Sequence, residues 1–234
     1  MPDDEYKPLL SNEAVDGLHV WHERAYAELK ALGATSVRAY GLQLETPEGV
    51  FPPAESSDYS NVILADVRPD DRVLDMGTGS GIQALLAATV SADVLGVDVN
   101  PLAVAAAEAN ATRNGLDSRA RFLVSDLFAS ADGRFDLIVF DPPFRWFRPR
   151  DPLEAAICDE NYRTLTSFVR EVREHLRPRG RVLLNFGTSA DIAYLYRLLD
   201  DEEFQWSVAA ESHATQGEQA ATYYVLRVTD SPRR

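Results

Sequence analysis

The chain has 234 residues, 45% of them hydrophobic and 26% charged, with a formal net charge of −14. This is the composition of one globular domain with an appendage, and its acidity disfavours broad, non-specific binding to nucleic acid. A single cysteine, Cys158, excludes an internal disulfide and a cysteine-cluster metal site, and no apolar run approaches the ~20 residues of a membrane span. The start, Met1-Pro-Asp-Asp-Glu, is acidic and unlike a signal peptide, so a cytoplasmic location is expected.

Residues 1–12 are polar and are expected to be loose. Leu18, Trp21, Ala25, Leu29 and Leu32 recur at helical spacing, with Gly33 placed to end the helix and with His19 and His22 as packing residues. Residues 36–51 resemble a hairpin turning at Thr46-Pro47-Glu48-Gly49, and a helix from Tyr59 to Val67 follows, capped by Ser57 or Asp58. We expect residues 1–58 to form a substrate cap and residues 59–234 the main domain.

From Arg72 the pattern becomes strand–helix alternation. Strands are expected at Val73–Asp75, Val94–Asp98, Arg121–Val124, Phe135–Phe140 and Arg181–Phe186, and two more at Phe204–Ala210 and Thr222–Val228. Between them lie a helix opened by Asn100-Pro101 and closed by Gly115, one with Tyr162, Leu165, Val169, Val172 and Leu176 inward, and one marked by Ile192, Leu195, Tyr196 and Leu199. His213 falls in a polar loop before the last strand. The fold class is α/β: a doubly wound, mostly parallel seven-stranded sheet with an antiparallel last strand.

The stretch Val73-Leu74-Asp75-Met76-Gly77-Thr78-Gly79-Ser80-Gly81 reads as a strand, a tight turn and a helix start. The glycines permit positive φ and close approach of a ligand, and the helix start is expected to offer N–H donors. The spacing is Gly-x-Gly-x-Gly, with Ile82 where a dinucleotide fingerprint wants glycine or alanine, so a dinucleotide-dependent oxidoreductase is disfavoured. Asp75, Asp98, Asp126 and Asp141 all end strands and are expected to line one crevice. Asp98, about 20 residues beyond the turn, is placed to accept from paired ribose hydroxyls. Asp126 is placed to accept from an adenine amino group, with Leu127 beside the ring.

These motifs together resemble the class I S-adenosylmethionine-dependent methyltransferases of the small-domain group, which includes release-factor glutamine and adenine- or guanine-amino methyltransferases. The resemblance spans roughly residues 50–230 and rests on Leu74–Gly81, on Asp141-Pro142-Pro143-Phe144 as the (Asn/Asp)-Pro-Pro-(Tyr/Phe) signature, on Pro53-Ala54-Glu55, and on Gly180–Gly187. It implies a Rossmann-like fold and S-adenosyl-L-methionine as cofactor, with S-adenosyl-L-homocysteine as product. The implied cofactor contacts are Asp75, Gly77, Thr78, Gly79 and Gly81 in the turn, then Asp98, Asn100, Asp126 and Leu127, with Asp141. No metal is implied.

In the second motif the prolines fix φ and remove two N–H donors, leaving carbonyl acceptors. Asp141 and the Pro142 carbonyl are therefore expected to accept both hydrogens of an NH₂ group, while Phe144 offers a flat face. An Asp stands where the glutamine-specific pattern has Asn, which turns the reading away from glutamine. Arg145-Trp146-Phe147-Arg148-Pro149-Arg150 follows, and either grips an anionic or flat substrate group or is a solvated loop. Glu55, Pro143, Arg145 and Trp146 are the substrate-side expectations. The functional expectation is N-methylation of a planar amino or amide nitrogen on a protein or small metabolite. Nucleic-acid bases are the alternative, disfavoured by charge, and a non-catalytic cofactor-binding module is the reading of another class. The sequence leaves oligomeric state open.

Overall fold

In the computed structural model, residues 6–216 and 219–230 are described. The elements in order are α1 (Asn12–Leu32), β1 (Thr35–Ala39), β2 (Leu42–Thr46), α2 (Asp58–Asp66), β3 (Arg72–Met76), α3 (Ile82–Ala88), β4 (Asp93–Asp98) and α4 (Pro101–Arg113). There follow β5 (Ala120–Val124), β6 (Phe135–Phe140), α5 (Pro152–Ala155), α6 (Arg163–Glu171), β7 (Leu176–Gly187), α7 (Ile192–Asp201), β8 (Phe204–Gln216) and β9 (Gln219–Asp230).

The seven-stranded sheet has the order β5-β4-β3-β6-β7-β9-β8. Pairs β3–β4, β3–β6, β4–β5 and β6–β7 are parallel, whereas β9 runs antiparallel to both β7 and β8. Strand order therefore reverses between β3 and β6, and a ligand crevice belongs outside their carboxyl ends. Those ends carry the glycine turn and the Asp-Pro-Pro-Phe corner. β3 and β6 are buried on both faces, as expected of central parallel strands read from unbroken apolar runs.

Capping follows the sequence. Ser57 accepts from Ser60 N at the start of α2, and Asn100 accepts from Leu102 N ahead of Pro101 at the start of α4. Gly81 has φ +88, and a Cβ there would meet Ala107 Cβ at 2.9 Å. Only glycine lets α3 approach α4 this closely.

Several expected details differ. The hairpin is β1–β2, and its turn is Tyr40-Gly41, with φ of +53 and +82. Two positive-φ residues suit the right-handed twist of a tight hairpin. Thr46–Gly49 instead makes a separate turn after β2, closed by Val50 N donating to Pro47 O at 3.2 Å. Leu176 opens β7, because the helix ends in a 3-10 turn at Val172–His175. Residues 6–11 are tied down: Tyr6 Oη and Leu9 N both donate to Asp191 Oδ2, at 2.7 and 2.5 Å. His213 lies on β8, beside Thr222 of β9, not in a loop.

Beneath the sheet, Arg181 is 4% exposed and fully engaged. It donates to Asp66 at 2.6 Å, to Asp71 at 2.7 Å and to the carbonyls of Asp66 and Asp136, pinning α2 to the sheet. Removing one partner from a buried ion network leaves uncompensated charge. Arg181→Ala should lower the unfolding free energy by about 3–5 kcal/mol in denaturant titration. Arg148→Ala, whose side chain is 83% exposed, should stay within about 0.5 kcal/mol of wild type.

Candidate functional site

A cavity of about 1050 Å³ opens at the carboxyl ends of β3 and β6. It lies at the upper end of the range of small-molecule sites, about 300–1,000 Å³. One wall is the glycine turn with Asp75, Asp98 and Asp126; another is Asp141-Pro142-Pro143-Phe144; a third is α1, through Trp21, Ala25, Leu29 and Leu32. All four strand-end acids meet there, as expected.

Asp75 holds the turn. Its Oδ2 accepts from Thr78 Oγ1 at 2.7 Å and from Ala84 N at 3.0 Å, joining strand, turn and helix. Burial pushes its carboxyl up to about 7, against the pull of those two bonds. Asp98 is also raised by burial, partly offset because its Oδ2 accepts from Gly79 N and its Oδ1 from Asn100 N, both at 2.9 Å. The row of donors expected at the helix start is thus partly used within the protein: Thr78 N donates to Val97 O and Gly81 N to Thr78 O.

Asp141 lies open to the cavity yet enclosed by protein around it, which pushes its carboxyl up to about 6. Asn185 Nδ2 donates to its Oδ1 at 2.9 Å and pulls the other way. Oδ2 is left for another donor. Asn185 was missed in the sequence, although a polar side chain near the carboxyl end of Val182-Leu183-Leu184-Asn185-Phe186 is the signal that could have found it. Tyr59 was also passed over. It is 3% exposed, lines the cavity, and donates to Leu183 O at 3.2 Å. Phe144 packs against Phe186 and Tyr223, with ring centroids 5.2 and 5.7 Å away, and its carbonyl accepts from Tyr162 Oη at 2.9 Å.

Of the residues expected here, Gly77, Thr78, Gly79, Asn100, Leu127, Pro142, Pro143 and Arg145 line the cavity beside the four acids. Gly81 faces α4, Glu55 is exposed away from the lining, and Trp146 is buried in the core at 8% exposure. His213 is exposed on β8, 3.0 Å from Thr222 Oγ1, and is not part of the wall.

Helix α1 is anchored by long-range contacts. His22 Nε2 bonds Glu154 Oε1 at 2.8 Å, Arg150 grips both Glu154 oxygens at 2.6 and 2.9 Å and reaches Glu23 at 3.1 Å, and Lys30 reaches Asp151 at 3.1 Å. Burial opposes charge on Glu154, yet the bonds from Arg150 and His22 outweigh it and hold the carboxyl down to about 2. Cys158 Sγ sits 3.8 Å from each His22 ring nitrogen, so His22, Glu154 and Cys158 offer ligand-type atoms within 4.8 Å. Arg150 already satisfies Glu154, and burial pushes the thiol up to about 12, so this cluster is built as an anchor.

Residues 41–193 match the sequence profile of the methyltransferase small domain, well over half the chain. The chain belongs to the methyltransferase small domain family. Within it, the chain is 50% identical over 132 residues to the ribosomal protein L11 methyltransferase of Thermus thermophilus, covering 56% of this chain and 44% of that one. It is 32% identical over 159 residues to the release factor glutamine methyltransferase of Cereibacter sphaeroides, covering 62% and 56%. A Thermus thermophilus 16S rRNA N2 methyltransferase, solved with AdoMet and guanosine, superposes with a TM-score of 0.58 at 25% identity, covering 85% of this chain and 50% of that one. This small-domain chain spans about half the length of the curated relatives it matches. Among the described residues no helix is long and apolar enough to cross a membrane.

The Asp75 shift has a measurable sign. Its folded pKa of about 7 lies above the unfolded value of about 3.9, so its contribution to stability is fully present below about pH 4. It is lost as pH rises to about 7 and constant above. Both hydrogen bonds reach one oxygen, so Asp75→Asn can keep them and abolish this slope. Unfolding free energies from pH 4 to 8 should show the variant gaining on wild type as pH rises.

Proposed function

We propose that this chain is an S-adenosylmethionine-dependent N-methyltransferase acting on a planar amino or amide nitrogen of a protein or small metabolite. The observation that carries the reading is that Asp141, at the end of β6, shares one cavity with the glycine turn after β3. The cofactor supplies an electrophilic methyl group on a cationic sulfonium.

The residues present fit such a cofactor. Positive φ at Gly77 and Gly79 keeps side chains out of the turn, and nothing lies within 4 Å of a Cβ built on Gly79. Asp98 and Asp126 offer acceptors for ribose and adenine, Leu127 offers an apolar contact for the ring, and the acids of the wall favour a cation in a partly dry site. Asn100 caps α4 beside them. Residues 1–58, through α1, act as the cap over the acceptor.

On the acceptor side, Asp141 Oδ2 and the Pro142 carbonyl accept the two hydrogens of the NH₂ group. A planar nitrogen is a poor nucleophile because its lone pair is delocalised. Acceptors that bind both hydrogens as the nitrogen becomes tetrahedral bind the transition state better than the ground state. Asn185 holds Asp141 in orientation. Phe144 and Pro143 bound the plane in which the acceptor lies, and that positioning supplies much of the rate.

A nucleic-acid base is the second reading, favoured by the guanosine in the related 16S rRNA enzyme. The net charge of −14 weighs against it. Incubation with radiolabelled cofactor and a cell extract, separated into protein, nucleic acid and small molecules, distinguishes the two. Label in none of the pools, with cofactor still bound, would instead mark a non-catalytic module.

Asp141→Ala should abolish transfer while leaving S-adenosylhomocysteine affinity within about threefold, since the lost contact serves the acceptor. Equal loss of both would contradict the assignment. Because Asp141 must be ionised to accept, transfer should decline as pH falls below about 6. Asn185→Ala removes the bond that holds this carboxyl down, so the acid limb of its pH profile should move to higher pH, with kcat lowered about tenfold.

A further inference from the structure

Arg145 follows the Asp-Pro-Pro-Phe corner, lines the cavity and is only 7% exposed. Among the described residues its guanidinium makes no ion pair, and its Nε is buried without a hydrogen-bond partner. It lies over the Trp21 ring of α1, 5.4 Å from the centroid, and the other ionisable groups near it include His22, Cys158, Tyr162 and Tyr223. Burial lowers its pKa, but a guanidinium keeps its proton at any ordinary pH. The charge remains.

Arg181 shows how this fold treats a buried guanidinium when the purpose is structural: it surrounds it with Asp66, Asp71 and two carbonyls. Arg145 has no such company. Its backbone is nevertheless fixed from both sides, with Arg145 N donating to Ile157 O at 3.2 Å and Asp159 N donating to Arg145 O at 2.7 Å. Asp159 itself is occupied, accepting from Thr164 N and Leu165 N at 2.9 Å each. The other arginine of the wall, Arg163, faces Glu160 at 3.8 Å. A rigidly held, desolvated cation without a carboxylate partner is costly unless a ligand supplies the anion.

We propose that Arg145 binds an oxyanion, a carboxylate or phosphate carried by the methyl acceptor itself. This rests on the methyltransferase reading and narrows it. Arg145 is four positions beyond Asp141, so their Cα atoms lie at most about 14 Å apart even when the chain is fully extended, and one compact molecule can touch both. The acceptor class is a small planar amine or amide bearing an oxyanion. An internal glutamine side chain, whose amide carries no anion, does not satisfy the site.

The test titrates three probes by calorimetry into the full chain saturated with S-adenosylhomocysteine: benzoate, phenyl phosphate and the neutral isostere benzamide. At least one anion should bind about 10- to 100-fold more tightly than benzamide, the range expected of a charge-assisted pair, and the stronger anion distinguishes carboxylate from phosphate. Arg145→Met should erase that preference with S-adenosylhomocysteine affinity within about twofold of wild type, and Arg145→Lys should retain part of it. Equal binding of benzamide and both anions, an unchanged preference in Arg145→Met, or no binding of either anion would overturn the proposal. If Arg145→Met does not fold, the comparison of probes on wild type decides. Failure of S-adenosylhomocysteine to bind would instead defeat the cofactor reading, and the same titration on the unloaded chain still tests Arg145.

Discussion

The buried carboxylate of Asp75 is the constraint on which the site depends. It is 2% exposed, and one oxygen serves both the Thr78 hydroxyl and the Ala84 amide. A charge-capable group at the end of a central strand is expensive to desolvate unless hydrogen-bonded. Here the same bonds that relieve that cost fix the path of the glycine turn relative to α3. Asp98 repeats the device from the next strand, accepting from Gly79 N and Asn100 N. The turn is therefore shaped before any ligand arrives, which reduces the ordering that binding must impose.

The wall opposite the glycine turn has a different construction. Asp141, Pro142 and Phe144 stand on β6 and its rigid exit, but the rest is assembled from distant parts of the chain. α1 reaches the wall through Trp21, and its far side is fastened by His22, Glu23 and Lys30 to Arg150, Asp151 and Glu154. Under the proposed reading the division suits the chemistry: a cofactor site on the sheet, and an acceptor side built from loops and a helix carried by that rigid scaffold.

Much of the frame was legible in the sequence. The sheet strands announce themselves as apolar runs ending in acids, and Asn100-Pro101 or Gly115 punctuate helices by mechanisms local to a few residues. What escaped depends on contacts far apart in sequence. The sequence places the hairpin turn at Thr46-Pro47-Glu48-Gly49 because that tetrapeptide carries a stronger local signal than Tyr40-Gly41, whose conformation is set by strand pairing. Gly81 reads as a ligand contact beside Gly77 and Gly79, yet Ala107 of α4 determines its role. Leu176 has the right helical spacing but is claimed by β7. Asn185 and Glu154 become meaningful only once β6 and α1 are beside them, as no spacing rule joins positions 22 and 154.

The anchoring of α1 carries a consequence for selection by the site. Glu154, gripped by His22, closes its own turn through Ile157 N and Cys158 N, both donating to Glu154 O at 2.9 Å, and Ile157 O in turn receives Arg145 N. A continuous set of hydrogen bonds thus runs from the helix over the cavity to the backbone that carries Arg145. A molecule too bulky for the space beneath α1 would, in displacing that helix, also drag Arg145 from its position. Steric fit and charge recognition are mechanically joined, so a candidate that fails on size forfeits its electrostatic hold as well.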